Sequence, residues 1–137
     1  MDVGTIESRH EAGVRVVALS GEHDLSTRPA IAEAIDAPVD VPTTAIVMDF
    51  SATDFVDSTI VTLVVEKQRA AAERGLEFSV VAPPDGTVAR TFELLALGTL
   101  VPIHPTVADA VAAGGPHEAG SEGSVDGGRT IRARPRA

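Results

Sequence analysis

The residues best placed to do chemistry lie in a polar segment between an apolar, strand-like run and a stretch with helical periodicity. Residues 45–48 are apolar, residues 49–57 are predicted to form a polar loop, and the segment ends on Asp57-Ser58-Thr59 just before Ile60. A strand, a short loop and a helix start present a hydroxyl and free backbone N–H groups at the helix N-terminus. Such a site can hold an anion or can be made anionic by phosphorylation. Equally, Ser58 can serve only as the N-cap of the helix.

A helical periodicity of about 100° per residue separates two faces in the segment that starts at Thr59. Ser58 falls on the polar face, where a partner protein could reach it. Val61 and Val65 lie at the border between the faces and are expected to be partly exposed. The polar face also carries Thr62, Glu66, Arg69 and Glu73, and the apolar face carries Ile60, Leu63, Val64 and Ala71.

Asp57 beside Ser58 permits an acid–base interpretation, with the carboxylate accepting the hydroxyl proton. No histidine or second carboxylate is tied to the pair by spacing, and Asp is favoured at a helix start in any case. A phospho-accepting aspartate of the two-component type would need further acids to hold a metal, and a lysine. The only lysine is Lys67, just downstream on the same helix. We therefore expect Asp57 to have a structural or partner-directed role.

Glu22-His23-Asp24 follows the first long apolar run through Gly21 and is predicted to form a turn. One interpretation makes these residues a lead-in to the next helix, with Asp24 or Thr27 as its cap. The other places them in a functional loop at the same end of a parallel sheet as Ser58, where the carboxyl ends of strands gather binding residues. The pattern leaves both interpretations open.

Composition excludes several other function classes. The net charge of −9 and the absence of Trp and Tyr argue against nucleic-acid binding, which needs a basic surface and stacking platforms. The chain has no cysteine, and its four histidines at positions 10, 23, 104 and 117 lack metal-ligand spacing. The acidic N-terminus does not resemble a signal peptide, and no apolar run is long enough to span a membrane. We expect a cytoplasmic protein without metal or cofactor.

Strand and helix patterns alternate along the first 113 residues and predict one α/β domain with a mixed, mostly parallel sheet of four to five strands. About four helices are expected to cover it, in the order β-β-α-β-α-β-α-β-α. Thr27 is expected to cap the first helix through its hydroxyl, and Gly75 to end the second. The predicted strands are 4–8, 14–19, 44–48, 77–82 and 101–104, and the predicted helices begin at 27, 59, 86 and 106 and end near 38, 74, 97 and 113.

Residues 114–137 differ from the rest of the chain because they are rich in Gly and hold only Val125 and Ile131 as large apolar groups. Too little surface can be buried to offset the entropy of ordering, so this tail is predicted to be disordered and dispensable for folding. Its end, from Arg129 to Arg136, is a small basic cluster. That cluster is either a solvated tail or a contact for an acidic surface.

Three segments together resemble the STAS domain of anti-sigma factor antagonists: residues 17–25, with Gly21-Glu22-His23-Asp24; residues 46–51; and residues 55–59, with Asp57-Ser58-Thr59. The resemblance extends through Leu97-Gly98 and residues 103–112, and so covers about residues 3–113. It implies a small mixed sheet with helices and no catalytic activity. The resemblance also implies that a partner anti-sigma kinase phosphorylates Ser58, and that the unphosphorylated form binds this kinase and frees a sigma factor.

The resemblance implies a partner-binding surface around the same end of the sheet, on a monomer or weak dimer. Where the family usually continues the triplet with Gly-Leu-Gly, this chain has Ile60-Val61-Thr62, which should strengthen burial and reshape close docking. The alternative is an accessory or scaffold subunit that binds another partner, such as a transporter ATPase, without phosphorylation. The expected partner-binding residues are Glu22, Asp24, Asp57, Ser58, Thr59, Thr62 and Val65.

Overall fold

The computed structural model describes residues 4–114 and forms one five-stranded sheet in the order β1-β2-β3-β4-β5. β1 runs antiparallel to β2, and the other neighbours are parallel. The strands are β1 Thr5–Glu11, β2 Val14–His23, β3 Ala45–Val56, β4 Glu77–Val81 and β5 Ile103–His104. The helices are α1 Arg28–Asp36, α2 Ser58–Glu73, α3 Thr87–Leu94 and α4 Val107–Gly114. The predicted fold class and element order are confirmed.

Side-chain alternation along the strands divides the core between the two faces of the sheet. Ile46, Met48 and Phe50 of β3 belong to the larger cluster, which α1, α2 and α3 cover. Ala45 and Val47 belong to a smaller cluster under α4. Because successive strand residues point to opposite faces, one apolar run serves both clusters. Helices on both faces are what a mostly parallel sheet requires.

α2 forms despite a first turn and a half that is rich in β-branched residues. Ile60 and Val64 are fully buried and Leu63 is nearly so, which places the apolar face of the helix on the sheet. Tertiary packing therefore outweighs the weak helix propensity of these side chains. The helix ends as predicted at Gly75, whose φ is +76°, and the Leu76 N–H donates to the Ala71 carbonyl at 2.8 Å.

Two predicted loops are strands in the structure. The polar segment 49–57 continues β3 to Val56, and Glu22-His23 continues β2. The two extensions pair in parallel with each other, with register shifts at Ala18/Ser20 and Gly21/Glu22. Backbone hydrogen bonds do not depend on side-chain type, so a polar, largely exposed sequence can still be a strand once its neighbour is in place. The loop prediction for these residues was wrong.

The third helix and the last strand are shorter than predicted, whereas α4 has the predicted length. α3 ends at Leu94 rather than Leu97, because Ala96 adopts a left-handed φ of 55° and a short 3₁₀ turn follows at Leu97–Thr99. β5 has only two residues, since its pairing with β4 is limited to Val80 and Val81. Thr106 caps α4 as predicted by its type, accepting a hydrogen bond from the Asp109 N–H at 3.1 Å.

Deleting the tail is expected to leave the domain intact. Residues 115–137 lie outside the described residues, so their predicted disorder stays a prediction. Gly114 is buried and its carbonyl accepts a hydrogen bond from the Thr44 hydroxyl at 2.9 Å, so the truncation should follow Gly114. We expect the melting temperature of the truncated chain to match that of the full chain, because the tail offers little apolar area. A large drop would mean that the tail docks on the domain.

Candidate functional site

The candidate site lies where the carboxyl ends of β2 and β3 meet the start of α2. Glu22 pairs with Phe55 and His23 pairs with Val56, so Asp24 and Asp57 each follow a paired residue on neighbouring strands. Long-range strand pairing thus brings the two sequence-predicted motifs to one edge of the sheet. The functional interpretation of 22–24, as part of the same sheet end as Ser58, is the one this placement favours.

Asp57, not Ser58, is the N-cap of α2. Its Oδ1 accepts hydrogen bonds from the Thr59 N–H at 3.0 Å, the Ile60 N–H at 3.2 Å and the Thr59 hydroxyl at 2.5 Å. Its backbone is extended, as an N-cap residue requires. The interpretation of Ser58 as a simple cap is therefore wrong. The acid–base interpretation also loses support, because the carboxylate is directed to Thr59 and the helix N–H groups.

Ser58 is the first residue of α2 and is exposed. Within residues 4–114 its hydroxyl has no hydrogen-bond partner, whereas the half-buried Thr59 hydroxyl is held by Asp57. The Ser58 carbonyl accepts a hydrogen bond from the Thr62 hydroxyl at 3.0 Å, one turn along the exposed face. Of the two adjacent hydroxyls, the one on Ser58 is the one open to a visiting group.

The predicted polar face of α2 is the exposed face of the helix. Thr62, Glu66, Arg69 and Glu73 are all exposed, as Ser58 is. Of the two border residues, Val65 is half-buried and Val61 is buried at 8% exposure, so only Val65 matches the expectation of partial exposure. Ile60 contributes to the core and does not cover Ser58, since it has no exposed surface.

Asp24 shapes the loop that follows β2. Its Oδ1 accepts hydrogen bonds from the Ser26 N–H at 2.9 Å and the Ser26 hydroxyl at 2.6 Å. The hydrogen bond from the Ser26 side chain, followed by the one from the Ser26 backbone, lowers the pKa of Asp24. The turn is thus stabilised while the carboxylate is ionised, and that contribution is lost only as the pH falls through the lowered folded-state pKa.

His23 and Thr27 hold this loop to the sheet. The His23 ring is completely buried, with Nε2 3.0 Å from the Ser20 carbonyl oxygen and Nδ1 3.1 Å from the Thr27 hydroxyl. Thr27 occupies the N-cap position of α1 but makes no side-chain cap, because its hydroxyl bonds the Asp24 carbonyl and His23 instead. The expected Thr27 hydroxyl cap was wrong for this reason.

Two exposed apolar side chains were missed by the sequence interpretation. Leu25 is 64% exposed and Phe55 is 48% exposed, next to the exposed acids Glu22 and Asp54. We call Glu22, Asp24, Leu25, Asp54, Phe55 and Ser58 the switch face. Exposed apolar side chains close to acidic residues are typical of a surface that binds a basic protein partner. The only sign in the sequence that Phe55 and Leu25 are exposed was that each lies within an otherwise polar segment.

Within the described part of the chain, no three His, Asp or Glu side chains are grouped closely enough to hold a metal ion. No helix of that part has the length and apolar character needed to cross a membrane.

Replacing Asp24 by asparagine is expected to weaken partner binding more than it lowers stability. Asparagine keeps the oxygen that accepts both hydrogen bonds from Ser26 but removes the charge presented to the partner. Melting temperature and partner affinity should be compared with those of Asp40→Asn, an exposed loop acid before the amino end of β3. If Asp24→Asn loses stability while its folded fraction binds normally, Asp24 is only a loop-stabilising residue.

The comparisons with known proteins agree with this geometry. The family model described as "Mlab, STAS domain" matches residues 6–102. An anti-sigma factor antagonist from Mycobacterium paratuberculosis is 34% identical, with 82% of this chain and 94% of that chain covered and a TM-score of 0.66. Among curated proteins no sequence matches significantly.

Two more distant solved structures share the fold. One is the Bacillus cell fate determinant SpoIIAA in its phosphorylated form, at 23% identity and a TM-score of 0.54, with 80% of this chain and 98% of that chain covered. The other is a sulfate transporter family protein from Wolinella succinogenes, at 12% identity and a TM-score of 0.64, with 76% and 86% covered. The family model spans most of the chain, and a solved relative is 34% identical over 82% of it. The chain therefore belongs to the STAS-domain family.

Proposed function

We propose that this STAS-domain protein is an anti-sigma factor antagonist controlled by phosphorylation of Ser58. In its unphosphorylated state it binds an anti-sigma factor that is a serine kinase, and the bound sigma factor is released. Phosphorylation of Ser58 by that kinase ends the interaction. The observation that carries the proposal is the contrast between the exposed, unbonded Ser58 hydroxyl and the Thr59 hydroxyl held by Asp57.

The surroundings of Ser58 support a switch that acts through charge. Asp57 already occupies the Thr59 and Ile60 N–H groups, so a phosphoryl group on Ser58 would not replace it as the cap. The added charge of about −1.5 to −2 would stay on the surface, next in sequence to the carboxylate of Asp57 and four residues after that of Asp54. The positive end of the α2 dipole makes that position tolerable for folding.

The switch face also supports a protein partner rather than a small substrate. Phe55 and Leu25 offer exposed apolar area for contact, and Glu22, Asp24 and Asp54 offer negative charge for steering a basic surface. Thr62 and Val65 extend the same surface along α2. The 34% identical relative, described as an anti-sigma factor antagonist, supports the identity of the partner class.

The alternative function is that of an accessory subunit that binds another partner, such as a transporter ATPase, without phosphorylation. Residues 60–62 replace the family's usual Gly-Leu-Gly. They would favour this alternative only if their side chains kept an anti-sigma kinase from approaching Ser58 closely. Ile60 is fully buried, which removes the largest of the three side chains from the surface. The antagonist function therefore remains the better supported of the two.

Affinity capture from the native cell extract separates the two functions. The wild-type chain and Ser58→Asp would be immobilised in parallel, and the captured proteins identified by mass spectrometry. We expect an anti-sigma factor with an ATP-binding kinase domain on the wild-type chain and its depletion on Ser58→Asp. Capture of a transporter ATPase by both forms equally would contradict the proposal and support the alternative.

A further inference from the structure

A buried arginine at the other end of the sheet has no carboxylate partner. Arg15 of β2 is 4% exposed, and its Nη1 donates to the carbonyl oxygens of Ala34 at 3.2 Å and Ile35 at 2.8 Å. Its Nε is buried and makes no hydrogen bond, and no ion pair among residues 4–114 includes it. A buried guanidinium that meets only neutral acceptors is costly, and an anion would offset that cost.

A cavity of about 380 Å³ lies against this arginine, between the end of α1, residues 37–43 and the turn from α2 to β4. Its volume is within the range of small-molecule sites. Apolar side chains form much of its wall, including two valines that are 40% and 49% exposed. The apolar lining residues are Ile35, Pro38, Val39, Val41, Ile46 and Leu76.

The charged groups at the cavity give it a positive balance in a chain whose net charge is −9. Arg74, the C-cap of α2, lines it together with Arg15. Asp36 is the one acid in the lining, and its carboxylate is paired with Lys67 at 2.5 Å. Asp40 lies in the adjoining segment but does not line the cavity. A ligand entering here meets two guanidinium groups and a carboxylate that is already neutralised.

We propose that this cavity binds a small organic carboxylate with an aliphatic chain. The carboxylate accepts hydrogen bonds from the Arg15 and Arg74 guanidinium groups, whose planar donors match its two oxygens. The aliphatic chain packs against Val41, Leu76 and Ile46. The site is separate from the switch face and does not depend on the function proposed for Ser58.

A carboxylate with an aliphatic chain should bind more tightly than a small anion or an uncharged alcohol, because it combines a charged group with an apolar chain. Inorganic phosphate or acetate would satisfy the arginines but leave the apolar wall in contact with water. An uncharged alcohol would cover the wall but leave the Arg15 charge without a counter-ion. Both parts of the ligand are needed, so affinity should fall when either is removed.

The test is a titration of isotopically labelled protein with octanoate, followed by NMR through the Arg15 Nε–H signal and the backbone amides of the non-proline residues in 36–43. We expect saturable shifts at millimolar octanoate or below. Octanol and acetate are expected to bind at least about tenfold more weakly. No saturable shift with octanoate, or equal binding of octanol or acetate, would overturn the proposal.

Variants assign the head-group contact. Arg74→Gln is expected to weaken octanoate binding by about tenfold, while Arg69→Gln, the same change on the exposed face of α2 away from the cavity, should leave it unchanged. Arg15→Met should abolish binding, and if that variant does not fold, Arg74→Gln decides the question. Equal affinities of the Arg74→Gln, Arg69→Gln and wild-type proteins would exclude carboxylate binding by the arginine pair.

Discussion

Ser58→Asp is expected to weaken the complex with the partner anti-sigma factor by about thirtyfold, which corresponds to about 2 kcal/mol. The substitution places a fixed negative charge at the start of α2, where Asp57 already accepts hydrogen bonds from the Thr59 and Ile60 N–H groups. The larger, strongly hydrated carboxylate must then lose water and find space against a partner surface fitted to a neutral hydroxyl. Isothermal titration or a competition assay with the purified partner measures the loss.

Two matched variants serve as controls for this result. Ser58→Ala should bind like wild type, because the Ser58 hydroxyl makes no hydrogen bond within residues 4–114 and its loss costs the fold nothing. Ala70→Asp adds the same charge at an exposed position further along α2 and should leave affinity nearly unchanged. If Ser58→Asp binds as tightly as wild type, or Ala70→Asp weakens binding equally, Ser58 is not the switch.

Asp57→Ala is expected to lower the free energy of unfolding by about 2 kcal/mol. The change removes three hydrogen bonds and leaves the partly buried Thr59 N–H and hydroxyl without their acceptor, while the Ile60 N–H keeps its hydrogen bond to the backbone carbonyl of residue 57. It also releases the first turn of α2, on which the position of Ser58 depends. Denaturant unfolding followed by circular dichroism measures the change.

The control for Asp57→Ala is Asp54→Ala, three residues earlier and exposed on β3. Its carboxylate accepts no side-chain hydrogen bond from any described residue, so its loss should change stability by less than about 0.5 kcal/mol. Equal losses for the two variants would mean that the stabilisation comes from general charge effects at the helix start rather than from the cap.

The elements that could be predicted from sequence are those in which the spacing of apolar and polar side chains shows which face is buried. In α2, Ile60, Leu63 and Val64 recur at helical spacing and fix both the element and its buried face, although their propensity favours strands. The prediction that Ser58 points outward followed from this spacing alone. Gly75 ended the helix as predicted, because the left-handed residue after a helix is usually glycine.

The elements that could not be predicted depend on partners distant in sequence. Residues 49–56 are a strand because β2 supplies the neighbouring backbone, and no local pattern of Asp, Ser and Thr encodes that. Sequence alone could not decide whether Asp57 or Ser58 caps α2, because both residue types are good helix N-caps. The hydrogen bonds of the folded chain decide it. Nothing in the sequence marked Arg15, which lies within an apolar run, as a binding residue. It lines a cavity only because the end of α1 and residues 37–43 pack near it in the fold.

The central claim, that Ser58 is the regulatory phosphorylation site, is tested most directly by site mapping. The wild-type chain and Ser58→Ala would each be incubated with ATP and the native cell extract, then measured as intact masses and as peptides covering residues 57–62. We expect one phosphoryl group on the wild-type chain, located on Ser58, and none on Ser58→Ala. Phosphate located on Thr59, or an unmodified wild-type chain after incubation with an extract that contains the captured partner, would contradict it.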